Sequence, residues 1–154
     1  MKQDPLLTAE KLEDLKKKLE HLKDSKPFAA SEVARLAELG DFSENVEYQM
    51  AKGRLRGING GIFNLQNQID NAVLIENSDE VDQVRVGNTV TVEMNGKTKT
   101  YKLLGSVESD PSNGVISHNS PVGIALMDKK VGEEFEIERE NGNIKCKIIS
   151  ITNI

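Results

Sequence analysis

The sequence predicts an α+β protein: an N-terminal antiparallel α-helical coiled-coil hairpin over residues 1–75, a linker at 76–83, and a small antiparallel β domain with a short helix over 84–154. Three observations carry this. The first half holds two heptad-spaced apolar seams joined by a short turn. The second half alternates apolar and polar residues around two Asn-Gly pairs. A polar run from Glu76 to Gln83 separates them. Alternating steps of three and four mark a helical seam, whereas period two around a tight turn marks a hairpin of strands.

Thr8 is placed to cap the first helix, with Glu10 near its positive end. Apolar residues then fall at Leu12, Leu15, Leu19 and Leu22. The same steps continue onto Lys26, Ala29, Val33, Leu36 and Gly40, so Lys26-Pro27 interrupts the seam. Proline lacks an amide donor and biases its predecessor away from helix, so a kink or short break is expected there. Gly40 suits the end of the first arm.

The second seam runs Ala51, Leu55, Ile58, Ile62, Leu65, Ile69 and Ala72 without an error of spacing. Two such seams joined by a few residues should fold back on one another. Arms of about 30 residues would reach about 45 Å, with the turn at the far end. Gly53, Gly57, Gly60 and Gly61 fall inside the second arm. Gly57 and Gly61, four apart, fit either a close helix contact or a flexible, kinked segment, and the sequence leaves both open.

In the second half Val84 and Val86, then Val90, Val92 and Met94, signal strands. Asn95-Gly96 is a hairpin turn, with Thr98, Tyr101 and Leu103 on the return strand. A second hairpin centres on Asn141-Gly142, between Phe135/Ile137 and Ile144/Cys146/Ile148. Ser120-Pro121 opens a helical turn or two ending near Met127.

Composition narrows the function classes. A net charge of −5 argues against a free-standing binder of duplex DNA, although it leaves room for local basic patches. With 4% aromatic residues and no Trp, neither part has a core of large rings. Cys146 is the only cysteine, so there is no internal disulfide and no cysteine cluster for zinc; its strand setting makes it a small buried hydrophobe. No stretch approaches the roughly 18 apolar residues of a membrane span, and the N-terminus has no apolar signal core, so a cytoplasmic protein without membrane contact is expected. His21 and His118 have no partner at ligand spacing and are expected at the surface.

The segment Gly40-Asp41-Phe42-Ser43-Glu44-Asn45-Val46-Glu47-Tyr48 resembles the tip signature of the bacterial Gre transcript cleavage factors. Ile116-Ser117-His118-Asn119-Ser120-Pro121, Ala125-Leu126 and Lys130-Val131-Gly132 are similar to that family's C-terminal domain. So is the order Val86-Gly87, Val90, Tyr101, Gly105, Glu108 and Asp110. The resemblance is collinear over about residues 6–154. It implies an FKBP-like C-terminal domain and a hairpin that enters the secondary channel of bacterial RNA polymerase. There the factor stimulates the polymerase's own cleavage of the 3′ end of backtracked nascent RNA. On this resemblance the chain is not itself an enzyme, and a monomer is the expected state.

Phosphodiester hydrolysis by two metals requires both ions held and a water aimed in line. Mg2+ prefers oxygen ligands and keeps several waters, so one or two carboxylates bind it weakly alone. Asp41 and Glu44 are therefore the candidate acids, helping to hold a Mg2+ shared with the polymerase and to orient the attacking water. Asp41-x-x-Glu44 also has the spacing of a capping box for the second helix. Asn45, Glu47 and Tyr48 would support the tip or simply pack on the helix. The resemblance implies that Lys52 engages RNA; Arg56 lies one turn further, with Arg54 nearby. It also implies that Asp110, Ile116, Ser120 and Pro121 dock on the polymerase.

Two departures are visible. Ala37 stands where the family tip usually carries Arg, and Asn59 and Gly61 stand where Glu and Arg are usual. The competing readings are a Gre-like inhibitor that occupies the channel without promoting cleavage, a coiled-coil adaptor, and a peptidyl-prolyl isomerase. The last needs aromatic walls, for which the second half offers only Tyr101 and Phe135.

Overall fold

The computed structural model describes residues 3–39, 45–77 and 81–154. The chain forms two compact units: Glu10–Ala72, and residues 1–9 together with 73–154.

In the first unit, helix α1 (Ala9–Ala37) runs without interruption through Pro27, so the expected break is absent. The seam survives by shifting one position. Leu15, Leu19, Ala29 and Leu36 are buried, Leu22 and Ser25 are half-buried, and Lys26 is exposed. Ser25 thus occupies the seam between Leu22 and Ala29, and its hydroxyl donates to the Leu22 carbonyl at 2.8 Å. Proline in a helix interior costs about 3 kcal/mol; burial of the aliphatic seam on both sides of it offsets that.

Helix α2 (Val46–Asp70) begins after Asn45, whose side chain accepts from the Tyr48 amide at 3.0 Å. At its end the Asn71 amide donates to the Asn67 carbonyl. Gly61 of α2 lies against Leu22, while Ala51, Arg54 and Ile58 face Ser25, Ala29 and Glu32. Partner numbers fall on one helix as they rise on the other, so the pair is antiparallel.

The four glycines divide cleanly. A Cβ on Gly61 would sit 2.8 Å from Leu22 Cδ1, whereas Gly53, Gly57 and Gly60 have nothing within 4 Å. The close helix contact therefore belongs to Gly61 alone, and α2 stays helical through all four. Gly53→Ala, Gly57→Ala and Gly60→Ala are each expected to stabilise the hairpin by up to about 1 kcal/mol. Gly61→Ala should gain less, because Leu22 must move. Thermal unfolding followed by helical circular dichroism checks this order.

The second unit is built on a five-stranded sheet of order β5-β4-β3-β7-β6. Its strands are β3 (Asn88–Met94), β4 (Lys97–Leu104), β5 (Val115–Ser117), β6 (Glu134–Ile137) and β7 (Ile144–Asn153). All pairs are antiparallel except β4 with β5. Asn95 and Gly96 have φ of 49° and 80°, the positive values that a two-residue hairpin turn requires. Val90, Val92 and Met94 alternate into a core with Leu103, Leu126, Cys146 and Ile148. Helix α3 (Pro121–Leu126) covers that core.

Val84 and Val86 form no strand of their own. Only an isolated bridge, Gln83 to Lys130, occurs there. Val84 is nevertheless fully buried, its amide donating to the Lys129 carbonyl and its carbonyl accepting from Asp128. Burial on one side, rather than pairing along an edge, explains the apolar signal.

A second, two-stranded sheet was not legible in the sequence. Strand β1 (Leu6–Leu7) pairs in parallel with β2 (Val73–Leu74), with Leu7 only 2% exposed. The residues before α1 thus belong to the globular unit.

Candidate functional site

Asp41 and Glu44 fall between α1 and α2 in the sequence and lie outside the described residues. A capping box at these two acids would start the second helix just after Asp41. The N-cap of α2 is instead Asn45, and the helix begins at Val46. Of the residues expected to support the tip, Asn45 has a defined role, closing the helix start by accepting from the Tyr48 amide.

Lys52 and Arg56 lie one turn apart on α2. The Lys52 ammonium stands 5.3 Å from the centre of the Tyr48 ring, a cation–π contact that the sequence reading missed, although the i, i+4 spacing of the two was its signal. Arg54 points elsewhere. It lines a cavity of about 200 Å³ with Phe28, Ala29, Glu32, Ala51 and Ile58. Glu32 accepts two bonds from Arg35, at 3.3 and 2.9 Å. That hydrogen bonding, with the charges of Arg35 and then Arg54, holds the Glu32 carboxyl below its ordinary value. Arg35 is thus bound to a carboxylate beside which Arg54 also lies, whereas Lys52 faces a ring.

In the globular unit, Ile116, Ser120 and Pro121 line one open groove with Pro111, Val122 and Ile137. Ile116 is only 8% exposed, so it shapes the groove from beneath. Ser120 caps α3, accepting from the Gly123 amide at 3.0 Å and donating to the Ser117 carbonyl at 2.6 Å; Pro121 follows at the first helical position. Asp110 stands beside the groove residue Pro111. Its carboxylate accepts from Asn113 at 2.6 Å and Ser112 at 2.8 Å, which lowers its pKa. The structure thus brings three of the four expected docking residues to one groove and sets Asp110 at its edge.

His118 has a partner, contrary to the expectation of a lone surface residue. Its Nε2 lies 2.8 Å from Asp4 Oδ2, and both side chains are largely buried. The Asp4 carboxylate also accepts from the Leu6 and Ser106 amides and the Ser106 hydroxyl. Thr8 completes the attachment: its amide and hydroxyl both donate to Glu108, at 2.8 and 2.7 Å. Gly105 is required here, because a Cβ would run into the Leu6 carbonyl.

Burial alone would raise the Asp4 pKa; the bonds from Ser106, Leu6 and His118 outweigh it and lower the value. A carboxyl depressed in the folded state contributes stability above its unfolded pKa and loses it as pH falls through the folded one. Asp4→Asn is therefore expected to destabilise the globular unit at neutral pH and to flatten its loss of stability below the ordinary carboxylate range. Denaturant titrations at several pH values test this.

Comparison with known proteins decides the family. The family model described as "Transcription elongation factor, N-terminal" matches residues 5–74, and "Transcription elongation factor, GreA/GreB, C-term" matches residues 78–153. The chain belongs to the GreA/GreB family of transcription elongation factors. Among GreA relatives, the protein from Caldanaerobacter subterraneus subsp. tengcongensis is 41% identical, covering 98% of this chain and 99% of that one. GreA of Bacillus subtilis is 38% identical, covering 95% of this chain and 95% of its own. Among solved structures, GreA factor homolog 1 (Gfh1) of Thermus thermophilus is similar at 22% identity and a TM-score of 0.45, covering 98% of this chain and all of that one. The two family models divide the chain much as its α+β architecture does, the helical hairpin falling within the first and the five-stranded sheet within the second. No helix among the described residues is long and apolar enough to cross a membrane.

Proposed function

We propose that this chain binds bacterial RNA polymerase through the secondary channel and stimulates the polymerase's own cleavage of backtracked RNA, so rescuing arrested complexes. The observation that carries this reading is full-length similarity to GreA at 41% identity, hairpin and globular unit together, in a chain that keeps Asp41 and Glu44. The factor hydrolyses nothing by itself; it completes a site that belongs to the polymerase, in the cytoplasm.

The donor chemistry of Asp41 and Glu44 fits Mg2+, since both present hard carboxylate oxygens. Two carboxylates leave most of the coordination sphere to water, so the ion would be held jointly with the polymerase. Among the described residues no cluster of three or more His, Cys, Asp or Glu is placed to hold a metal. Bound there, the ion would lower the pKa of a coordinated water and neutralise charge on the phosphate. Asp41 and Glu44 would orient the attacking water and take up its proton. Lys52 and Arg56 would contact the RNA backbone, and the groove of Ser120 and Pro121 would dock on the polymerase surface.

The test uses halted, backtracked elongation complexes with Mg2+. Shortening of the RNA from its 3′ end by the wild type, lost in Asp41→Ala and Glu44→Ala, supports the reading. Equal shortening with both variants rejects the mechanism. Binding without shortening would favour the inhibitor.

A further inference from the structure

Lys52, Arg35 and Arg54 are held in different ways, and the difference bears on which of them can meet RNA. The Arg35 guanidinium is forked onto Glu32, and Glu32 also draws on the charge of Arg54. A guanidinium forked onto a carboxylate has donors already engaged, which it must release to meet a third, anionic group. Lys52 is held by the neutral ring of Tyr48 instead, 5.3 Å from its centre. Such a contact is made through the ring face, so the ammonium keeps its full charge and donors for phosphate oxygens.

The backbone that carries the ring is itself fixed. Tyr48 lies in the first turn of α2, and its amide is bound by the Asn45 cap at 3.0 Å. Cap, ring and cation therefore follow one another along the helix, starting at the residue next after Glu44. We propose that Tyr48 is a positioning residue: it holds the Lys52 ammonium over its ring on the second turn of α2, ready for the phosphates at the RNA 3′ end. Lysine has a long flexible stem, and an unheld ammonium would have to be ordered when RNA arrives. The ring makes that ordering before the encounter. This assignment rests on the cleavage-stimulating reading above.

The experiment compares full-length wild type, Tyr48→Leu, Tyr48→Phe, Lys52→Ala and the Tyr48→Leu/Lys52→Ala pair in backtracked elongation complexes, with Asp41→Ala alongside. Leucine keeps a good helix former, so α2 is retained. Tyr48→Leu should weaken cleavage stimulation about two- to five-fold, the equivalent of about 0.5–1 kcal/mol. Phenylalanine, which keeps the ring, should restore it, and Tyr48→Leu should add nothing once Lys52 is alanine. In the free protein, proton NMR should show the Lys52 ε-methylene shifted upfield by the ring in wild type and Tyr48→Phe, and unshifted in Tyr48→Leu. Losses that multiply in the pair, failure of phenylalanine to restore, or an unshifted methylene in wild type would overturn the role given to Tyr48 alone. If wild type cleaves no better than Asp41→Ala, the parent reading falls and takes this role with it.

Discussion

Replacing Asp41 or Glu44 by alanine is expected to lower stimulated transcript cleavage by about 100-fold or more, the scale of a positioned acid–base group. Affinity for the polymerase should change little. The reason for so large an effect is that these carboxylates would act only at the reacting centre, where their charge is worth most. Docking would rest on other residues, in the groove of Ile116, Ser120 and Pro121. The isosteric changes Asp41→Asn and Glu44→Gln separate charge from shape: if charge is what matters, they should fail as badly as alanine. Raising Mg2+ should partly recover a variant whose defect is loss of an ion ligand. Single-turnover cleavage at saturating factor, with binding measured separately, distinguishes these cases.

Leu126→Ala is expected to destabilise the globular unit by about 2–5 kcal/mol, the range for emptying a fully buried leucine site. Leu126 is 0% exposed and ends α3, a helix of six residues. So short a helix has no stability of its own. It is held by the Ser120 cap, by the close approach of Gly123 to the Ser117 carbonyl, and by Leu126 in the core. Removing the leucine side chain loosens the helix that presents Pro121. Polymerase binding should therefore fall together with stability. Pro121→Ala, an exposed change, should weaken binding with little effect on unfolding. Denaturant unfolding and hydrogen exchange across β3 and β7 give the stability half of the comparison.

The elements that could be read from the sequence are those whose signal is local and repeated. Both helical seams, both Asn-Gly hairpins and the Ser120-Pro121 helix start depend on residues within a turn or two of one another. Other features depend on partners far apart in the chain. Strand β1 has only Leu6 and Leu7, too few to show a period, and exists because Val73 and Leu74 lie beside it. The Asp4–His118 pair joins residues 114 positions apart, and no spacing rule connects them. Pro27 misleads for a related reason: its local cost is plain, whereas the burial that offsets it is a property of the packed pair. At the candidate site, Lys52 and Arg56 were legible as one basic face. Of what separates Lys52 from Arg54, the ring lies four residues back on the same helix and had a local signal, whereas the carboxylate of Glu32 appears only when α1 is laid beside α2.

The parallel pairing of β1 with β2 has a practical consequence. The sheet-bearing module is discontinuous in the gene, with the helical arm inserted between its first strand and the remainder. A fragment begun at Val73 would lack the buried Leu7 side chain, the carboxylate that binds His118, and the Thr8 anchor on Glu108. Excising the arm while tethering Ala9 to Val73 through a few flexible residues would keep all three, and is the better route to an autonomous miniature of this module.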